Sequence, residues 1–363
     1  MPPLYQQVKQ ALLADIAAGR YSPGRPFITQ REICERFDVS HATAVRALND
    51  LAAEGHLVRR RGQGTFVAEE SKKAAGAIVC ILQHHGPHVS ALLAGVEAVC
   101  AEFGDRLFLR HCEGDPEREE QALRQALDQG VDGIIIYPAE GGDTSGAYAE
   151  VRERGVPLVM VDRYRPDLAT DAVVADNFAA GERLTDALIA AGHRLIATLW
   201  DEVDVTSVRD RLSGHLHSLR QHGISVRPDL TLLRHYRTQP ETERLAALSE
   251  LLAGPQPPTI LLCANGYVLA TAAQDLIALG VEIPGEVDLA GMDDAGPFDV
   301  LPLTAAAVVL PSREMGERAM RLLHDRITGS GEGPEQVVLP ITVRTRQSAA
   351  AHLRVVGAPR EPV

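Results

Sequence analysis

The sequence predicts an α/β protein in two unequal parts: an N-terminal winged helix-turn-helix and a larger two-lobed domain on mainly parallel sheets. Three observations carry this. Residues 4–68 read as short helices with apolar residues at helical spacing, closed by a basic Gly-x-Gly hairpin. From residue 76 onward, apolar strands alternate with amphipathic helices, the pattern of parallel sheets covered on both faces. That second stretch is long for a single core, so it divides into two lobes. Charge divides at the same place. The whole chain is at −13, yet residues 1–73 hold 11 basic and 8 acidic residues (+3), and residues 74–363 hold 25 and 41 (−16).

Leu4, Val8, Leu12 and Ile16 recur every four residues and mark one face of a first helix ending near Gly19. Residues 22–26 are a turn. Thr29 and Glu32 have the spacing of a capping box opening a second helix, with Ile33 and Phe37 facing inward. After a short turn, Ser40 caps a third helix running to about Ala53, its inward face built from Ala44, Leu48 and Leu51. Two helices joined this tightly, the second carrying His41, Thr43 and Arg46 near its start, form a helix-turn-helix. Residues 56–60 and 65–67 alternate as strands. Arg59, Arg60 and Arg61 with Gly62 and Gly64 make a wing tip small enough to approach a groove and basic enough to hold phosphates.

Residues 4–68 resemble the winged head of GntR-family transcription regulators. The match runs through Leu4-Tyr5-Gln6-Gln7-Val8, Val39-Ser40, Thr43, Arg46-Ala47-Leu48, Leu51, Glu54-Gly55 and Gly62-x-Gly64-Thr65-Phe66-Val67. The resemblance implies binding to double-stranded operator DNA, with Arg31 at the position of a DNA-contacting arginine. It also exposes departures. The family's Leu-Pro-Ser-Glu-Arg reads Phe27-Ile28-Thr29-Gln30-Arg31, and two expected base-reading arginines are replaced by His41 and Val45. A family-typical operator sequence is therefore not expected.

Residues 69–75 are short, polar and small, and read as a linker. Beyond them strands are expected near 76–82, 106–111, 132–137, 157–162, 194–200, 229–235, 259–263 and 287–291. Helices are expected at 89–103, 117–129, 178–191, 206–222, 241–253 and 266–279. Polar residues gather at the carboxyl ends of the strands, where open α/β sheets bind ligands: His84, Asp162-Arg163, Asp176-Asn177, Trp200-Asp201, Asn265 and Asp293-Asp294. Residues 76–345 resemble the effector domain of LacI/GalR regulators, which has a periplasmic-binding-protein-like fold. The resemblance rests on Val131-Asp132-Gly133-Ile134-Ile135, Val156 through Arg163, Asp176-Asn177-x-x-x-Gly181, Arg211-x-x-Gly214 and Gly291-Met292-Asp293-Asp294. Further matches are Leu188 through Ala197, and Pro302-Leu303-Thr304 before Met315-Gly316-x-x-Ala319. A GntR-type head on a LacI-type body is similar to the arrangement of arabinose-responsive repressors. Carried over, the family's ligand contacts fall on Asp162, Ser207, Arg211, Asn265 and Asp293, and the chemistry suits a sugar or sugar derivative. A carboxylate accepts paired hydroxyl hydrogens, and a guanidinium donates in a planar fork. His84 and Arg163 join this set, and Trp200 is expected to stack on an apolar sugar face. The family's Asn-Pro after the first strand is His84-His85-Gly86-Pro87-His88 here, and its Asn-Asp is Asn265-Gly266. These changes point away from an ordinary hexose. Residues 346–363 read as a tail.

The exclusions follow from residue counts. Lys9, Lys72 and Lys73 are the only lysines, which removes a P-loop lysine or Schiff base from the body and with it an aminotransferase-like enzyme. Five cysteines without CxxC spacing read as reduced packing residues. A Gly-Pro turn interrupts His84, His85 and His88, and no metal or other cofactor is expected. No apolar run is long enough to cross a bilayer, and no secretory signal opens the chain. The expectation is a cytoplasmic, non-enzymatic, ligand-responsive DNA-binding regulator acting as a homodimer. The rival is a solute-binding module for transport or sensing, which leaves the winged head unexplained.

Overall fold

The computed structural model describes residues 3–17, 19–21, 25–53, 56–60, 64–67, 76–142, 144–202, 204–232, 235–293, 304–331 and 333–346. It divides into two compact units, Met1–Ala75 and Gly76–Val363. The tip residues Arg61 and Gly62, the linker at 69–75, Asp294 and the tail beyond 346 lie outside the described residues, as does the side chain of Arg60.

The first unit contains α1 (Leu4–Ala17), α2 (Gln30–Phe37), α3 (His41–Ala53), β1 (Leu57–Arg60) and β2 (Gly64–Val67). The capping box forms: the Thr29 hydroxyl accepts from the Glu32 N–H, and the Glu32 carboxylate accepts from the Thr29 N–H at 2.7 Å. Asp38 closes α2 in the left-handed region (φ 48°), which lets the chain turn into α3 within three residues. Val8, Leu12, Ile33, Ala44, Leu48 and Leu51 meet in one small core. Leu4 shares their spacing but sits in the opening turn of α1 and stays exposed. The two strands pair antiparallel with Leu57 opposite Val67, both buried.

The body has two lobes, each on a six-stranded sheet. In lobe one the strands are β3 (Ala77–Leu82), β4 (Arg106–His111), β5 (Gly133–Ile136), β6 (Leu158–Val161), β7 (Asp171–Ala175) and β13 (Gln336–Leu339). They are ordered β4-β3-β5-β6-β7-β13 and are all parallel. Lobe two holds β8 (Ile196–Leu199), β9 (Thr231–Leu232), β10 (Ile260–Cys263), β11 (Asp288–Gly291), β12 (Thr304–Val309) and β14 (Thr342–Thr345). Its order is β9-β8-β10-β11-β12-β14, and only β14 runs antiparallel. Strands β5, β6, β8 and β10 are buried at every residue, as parallel strands covered on both faces must be. Of the stretch expected as a strand over 229–235, the described residues form strand at Thr231–Leu232 (β9).

Lobe one is covered by α4 (Pro87–Phe103), α5 (Pro116–Asp128), α6 (Ser145–Glu153) and α11 (Ser312–Ile327). Lobe two carries α7 (Asn177–Ala190), α8 (Thr206–Gln221), α9 (Glu241–Ala253) and α10 (Gly266–Ala278). Two helix pairs cross at glycine. A Cβ on Gly95 of α4 would lie 2.1 Å from the Arg313 carbonyl of α11, and one on Gly181 of α7 would lie 1.9 Å from the Arg211 carbonyl of α8. Gly316 and Gly214 make the reciprocal approaches, so each pair packs backbone to backbone. The chain crosses between lobes three times: from β7 into α7, from β12 into α11, and from β13 into β14. In each sheet the first strand is flanked by the second and third, so strand order reverses there, beside β3 in one lobe and β8 in the other. Ligand crevices form where order reverses.

Candidate functional site

Both reversal points open onto one cavity of about 300 Å³. Its wall from lobe one comes from the residues after β3 (His84 to Val89), from Tyr137 after β5 and from Asp162 after β6. Lobe two supplies Glu202, Arg211, Arg237, Asn265, Gly266, Tyr267, Ala270 and Asp293, and Leu310 lies on a crossover.

Asp162 is buried at the centre of this wall, with its backbone in the left-handed region (φ 66°). Its Oδ1 lies 3.0 Å from His88 Nε2, while His88 Nδ1 sits 2.7 Å from the Ser312 hydroxyl. The Ser312 hydroxyl is also 3.4 Å from the Leu310 carbonyl, to which it can donate. Burial alone would raise the Asp162 pKa and lower that of His88. The interaction between them outweighs burial, so Asp162 titrates well below the usual carboxylate range and His88 is raised. Arg211 reaches the same region from α8, donating Nε to Asn177 Oδ1 at 2.8 Å and Nη1 to the Ala264 carbonyl at 2.9 Å.

Glu202 crosses from lobe two into lobe one. Its Oε1 is 3.0 Å from Arg163 Nη1 and 3.1 Å from His84 Nε2, and its Oε2 accepts from Arg163 Nη2 at 3.2 Å. Burial would raise its pKa, but the Arg163 charge and the His84 hydrogen bond hold it well below the carboxylate range. Arg163 also donates to Tyr137 Oη at 3.1 Å and lies over that ring at 4.6 Å. Opposite, the Arg237 guanidinium lies 5.0 Å from the centre of the Tyr267 ring, with its Nε 3.3 Å from Asp201 Oδ2. Asn265 caps α10, its Oδ1 accepting from the N–H groups of Tyr267 and Val268, which leaves its amide NH₂ as the group it can offer a ligand.

Of the expected ligand residues, His84, Asp162, Arg211, Asn265 and Asp293 line the cavity. Arg163 stands behind Glu202, and Ser207 is buried in the first turn of α8 outside the lining. The stacking role expected of Trp200 needs correction: it is 1% exposed, packed in the core, and its Nε1 donates to Thr198 Oγ1 at 2.8 Å. Ile196, Thr198 and Trp200 alternate onto the same face of the sheet, so the ring points sideways into the helix layer and not off the strand end. Sequence reasoning passed over Glu202, Tyr137, Arg237 and Tyr267. The first two stand just beyond strand ends and carried the same signal as Asp162; Arg237 lies in a short 3-10 turn (Tyr236–Thr238) that no periodicity marks.

In the winged head, Arg31 is exposed and faces Glu35 at 3.4 Å. Ser40 accepts from the Thr43 N–H and caps α3, and its hydroxyl lies 2.9 Å from that of Thr43. His41 Nε2 is 3.0 Å from Gln30 Oε1, tying the starts of α2 and α3 together. Arg46 lies over the Tyr5 ring at 4.0 Å, and Arg59 donates to Asn49 Oδ1. Gly64 adopts φ 109°, which a side chain would strain.

A winged helix-turn-helix joined to a two-lobed body with a crevice edged by charged side chains defines a ligand-responsive, DNA-binding transcription regulator. The chain belongs to the family of periplasmic binding proteins and sugar binding domain of LacI family, which matches residues 72–348. Residues 4–67 match bacterial regulatory proteins of the gntR family, which speaks for a regulator over a transport module. Among relatives, the chain is 29% identical to an arabinose metabolism transcriptional repressor from Geobacillus stearothermophilus, covering 88% of this chain and 90% of that one. It is 24% identical to the repressor of the same description from Halalkalibacterium halodurans, covering 95% and 96%. In fold it is similar to the crystal structure of a putative ribose operon repressor from Burkholderia thailandensis, with TM-score 0.66 and 24% identity over 74% of this chain and 98% of that one.

Proposed function

We propose that the cavity between the lobes binds a sugar or sugar derivative, and that binding changes the grip of the winged head on operator DNA. The observation that carries this is the cavity's position and make-up: a cleft at both strand-order reversals, edged by carboxylates, guanidiniums and an amide that match hydroxyl groups in pairs. The arabinose repressors among its relatives make L-arabinose the first compound to try. In this reading Asp162, Arg211, Asn265 and Asp293 contact the ligand directly, and His84 closes one side. In the head, Arg31, Ser40, His41 and Thr43 face the duplex. Arg46 and Arg59 to Arg61 hold backbone phosphates, with Gly62 and Gly64 giving the close approach. A homodimer places two heads at operator half-sites, and the chain works in the cytoplasm as a repressor. A ligand can shift the lobes only by its differential affinity for the two arrangements.

The test is a thermal-shift screen of residues 74–363 against pentoses, hexoses and their derivatives. A ligand of the native body raises its melting temperature with concentration. Asp162→Asn should keep the fold and cut affinity for that ligand by about tenfold or more, about 1.4 kcal/mol. A body that responds to no sugar, or an Asp162→Asn chain that binds as tightly as the wild type, would reject the assignment.

A further inference from the structure

Glu202 belongs to neither of the ligand-contact sets above, yet its carboxylate takes a place that a ligand group could fill. It projects from lobe two, after β8, into a slot of lobe one. Arg163 offers two nitrogens there, at 3.0 and 3.2 Å, and His84 offers Nε2 at 3.1 Å. This is how a protein holds a carboxylate: a planar fork plus one further hydrogen-bonding group. The chain spends backbone strain to put it there, since Glu202 is a non-glycine residue at φ 48°. The slot's side chains are buried or half-buried. Arg163 is 3% exposed and backed by Tyr137, and the side chain of His84 is 13% exposed. The charge of the wall follows. Among the described side chains, the carboxylates of Asp162, Asp201, Glu202 and Asp293 face the guanidiniums of Arg163, Arg211 and Arg237 and the imidazoles of His84 and His88, so the guanidiniums are not in excess over the carboxylates.

We propose that Glu202 is the specificity-determining residue of the cavity, a built-in carboxylate that fills the Arg163–His84 slot and restricts the effector to uncharged polyols. A sugar acid would have to displace Glu202 or leave its own carboxylate unpaired beside it. Removing the Glu202 side chain empties the slot, takes from Arg163 the carboxylate it pairs with and turns the cavity into a receptor for carboxylates. This rests on the reading that the cavity is the effector site, and the experiment separates the two.

The first arm needs no knowledge of the effector. Full-length wild type, Glu202→Ala and Glu202→Gln are melted in rising sodium formate, with sodium chloride at equal ionic strength as control. Glu202→Ala should melt lower than the wild type and regain melting temperature saturably with formate. Wild type and Glu202→Gln, whose slots stay filled, should respond to formate no more than to chloride. A folded Glu202→Ala chain indifferent to formate, or a formate response equal in all three, overturns the proposal. Adding Arg163→Met to Glu202→Ala should abolish the rescue; rescue that persists places the formate elsewhere and also overturns it. The second arm compares D-galactose with D-galacturonate, and L-arabinose with L-arabinonate, by calorimetric titration. Glu202→Ala should bind an acid at least about tenfold more tightly than the wild type does, about 1.4 kcal/mol. A wild type that binds an acid as tightly as its neutral parent overturns the proposal. If formate rescue holds but the wild type binds no neutral sugar in the wider screen, the effector reading fails instead.

Discussion

Two residues of the cavity wall, Asp162 and Glu202, hold left-handed backbone without being glycine, at φ 66° and 48°. Each such residue costs about 1–3 kcal/mol and persists only where its surroundings enforce it; here both are anchored by buried ion pairs. His215 is buried by a different arrangement. It lies on α8 with Nδ1 2.9 Å from Thr185 Oγ1, which itself donates to the Gly181 carbonyl, so His215 donates and stays neutral. Burial lowers its pKa to about 4. A base with a lowered folded pKa takes up its proton more readily when unfolded, so its contribution is constant above about pH 6.5. Stability then falls as pH drops from 6.5 to 4, by about 3 kcal/mol in all. His88, raised by Asp162, acts the opposite way: its contribution is full below pH 6.5 and fades above its raised value. The difference between wild type and His215→Asn, whose amide can replace Nδ1–H, therefore isolates His215. Urea unfolding at pH 7 and pH 4.5 should show the wild type losing stability and His215→Asn losing markedly less; equal losses would mean His215 is not the acid-sensitive group. At this scale the sequence marked Asp162, Asn265 and Asp293 because a polar residue after an apolar strand has one obvious use, whereas Arg211, inside α8, was marked by the family resemblance alone. It misled for Trp200 because the side to which a strand-end residue points depends on alternation within the sheet, and an aromatic ring suits either face.

Among the elements, the two helix pairs that cross at glycine pack backbone against backbone. Gly181 and Gly95 are alike in that an added methyl meets a backbone carbonyl, at 1.9 and 2.1 Å, and a carbonyl cannot swing aside as a long side chain can. Gly181→Ala and Gly95→Ala should each destabilise the body by about 1–3 kcal/mol, the range for overpacking. They should differ in binding. The carbonyl displaced by Gly181→Ala is that of Arg211, whose side chain lines the cavity, whereas Gly95→Ala presses on Arg313, an exposed residue paired with Glu317. Melting and ligand titration of both variants should give similar stability losses with a larger affinity loss for Gly181→Ala; equal affinity losses would uncouple the crossing from the site. The head's helices and strands were legible nearly to the residue, because Thr29, Ser40 and Gly64 punctuate it locally. In the body α6 and α11 went unmarked, and so did the strands after β11. Residues 336–339 and 342–345 are partly exposed edge strands with little apolar alternation, and their place is fixed by pairing with β7 and β12, which are distant in sequence.

For the whole molecule, the uneven charge is the starting point. A head at +3 can approach DNA while a body at −16 is repelled by it, so operator affinity rests on a small basic surface and is easily shifted. Regulation then becomes a coupling between two sites in one chain, and coupling free energies are reciprocal. If effector weakens operator binding by some factor, operator must weaken effector binding by that same factor, whatever path the signal takes. A coupling of about 1–3 kcal/mol, about 5- to 150-fold, is the usual range. Calorimetric titration of effector into the full chain, with and without saturating operator duplex, should show this factor, and gel shifts with and without saturating effector should return the same number. Residues 74–363 alone should bind effector with the affinity of the DNA-free full chain and ignore the duplex. Were operator to leave effector affinity unchanged while effector abolished operator binding in the same buffer, the two sites could not be linked through this chain alone. A further component acting on the DNA would then be required.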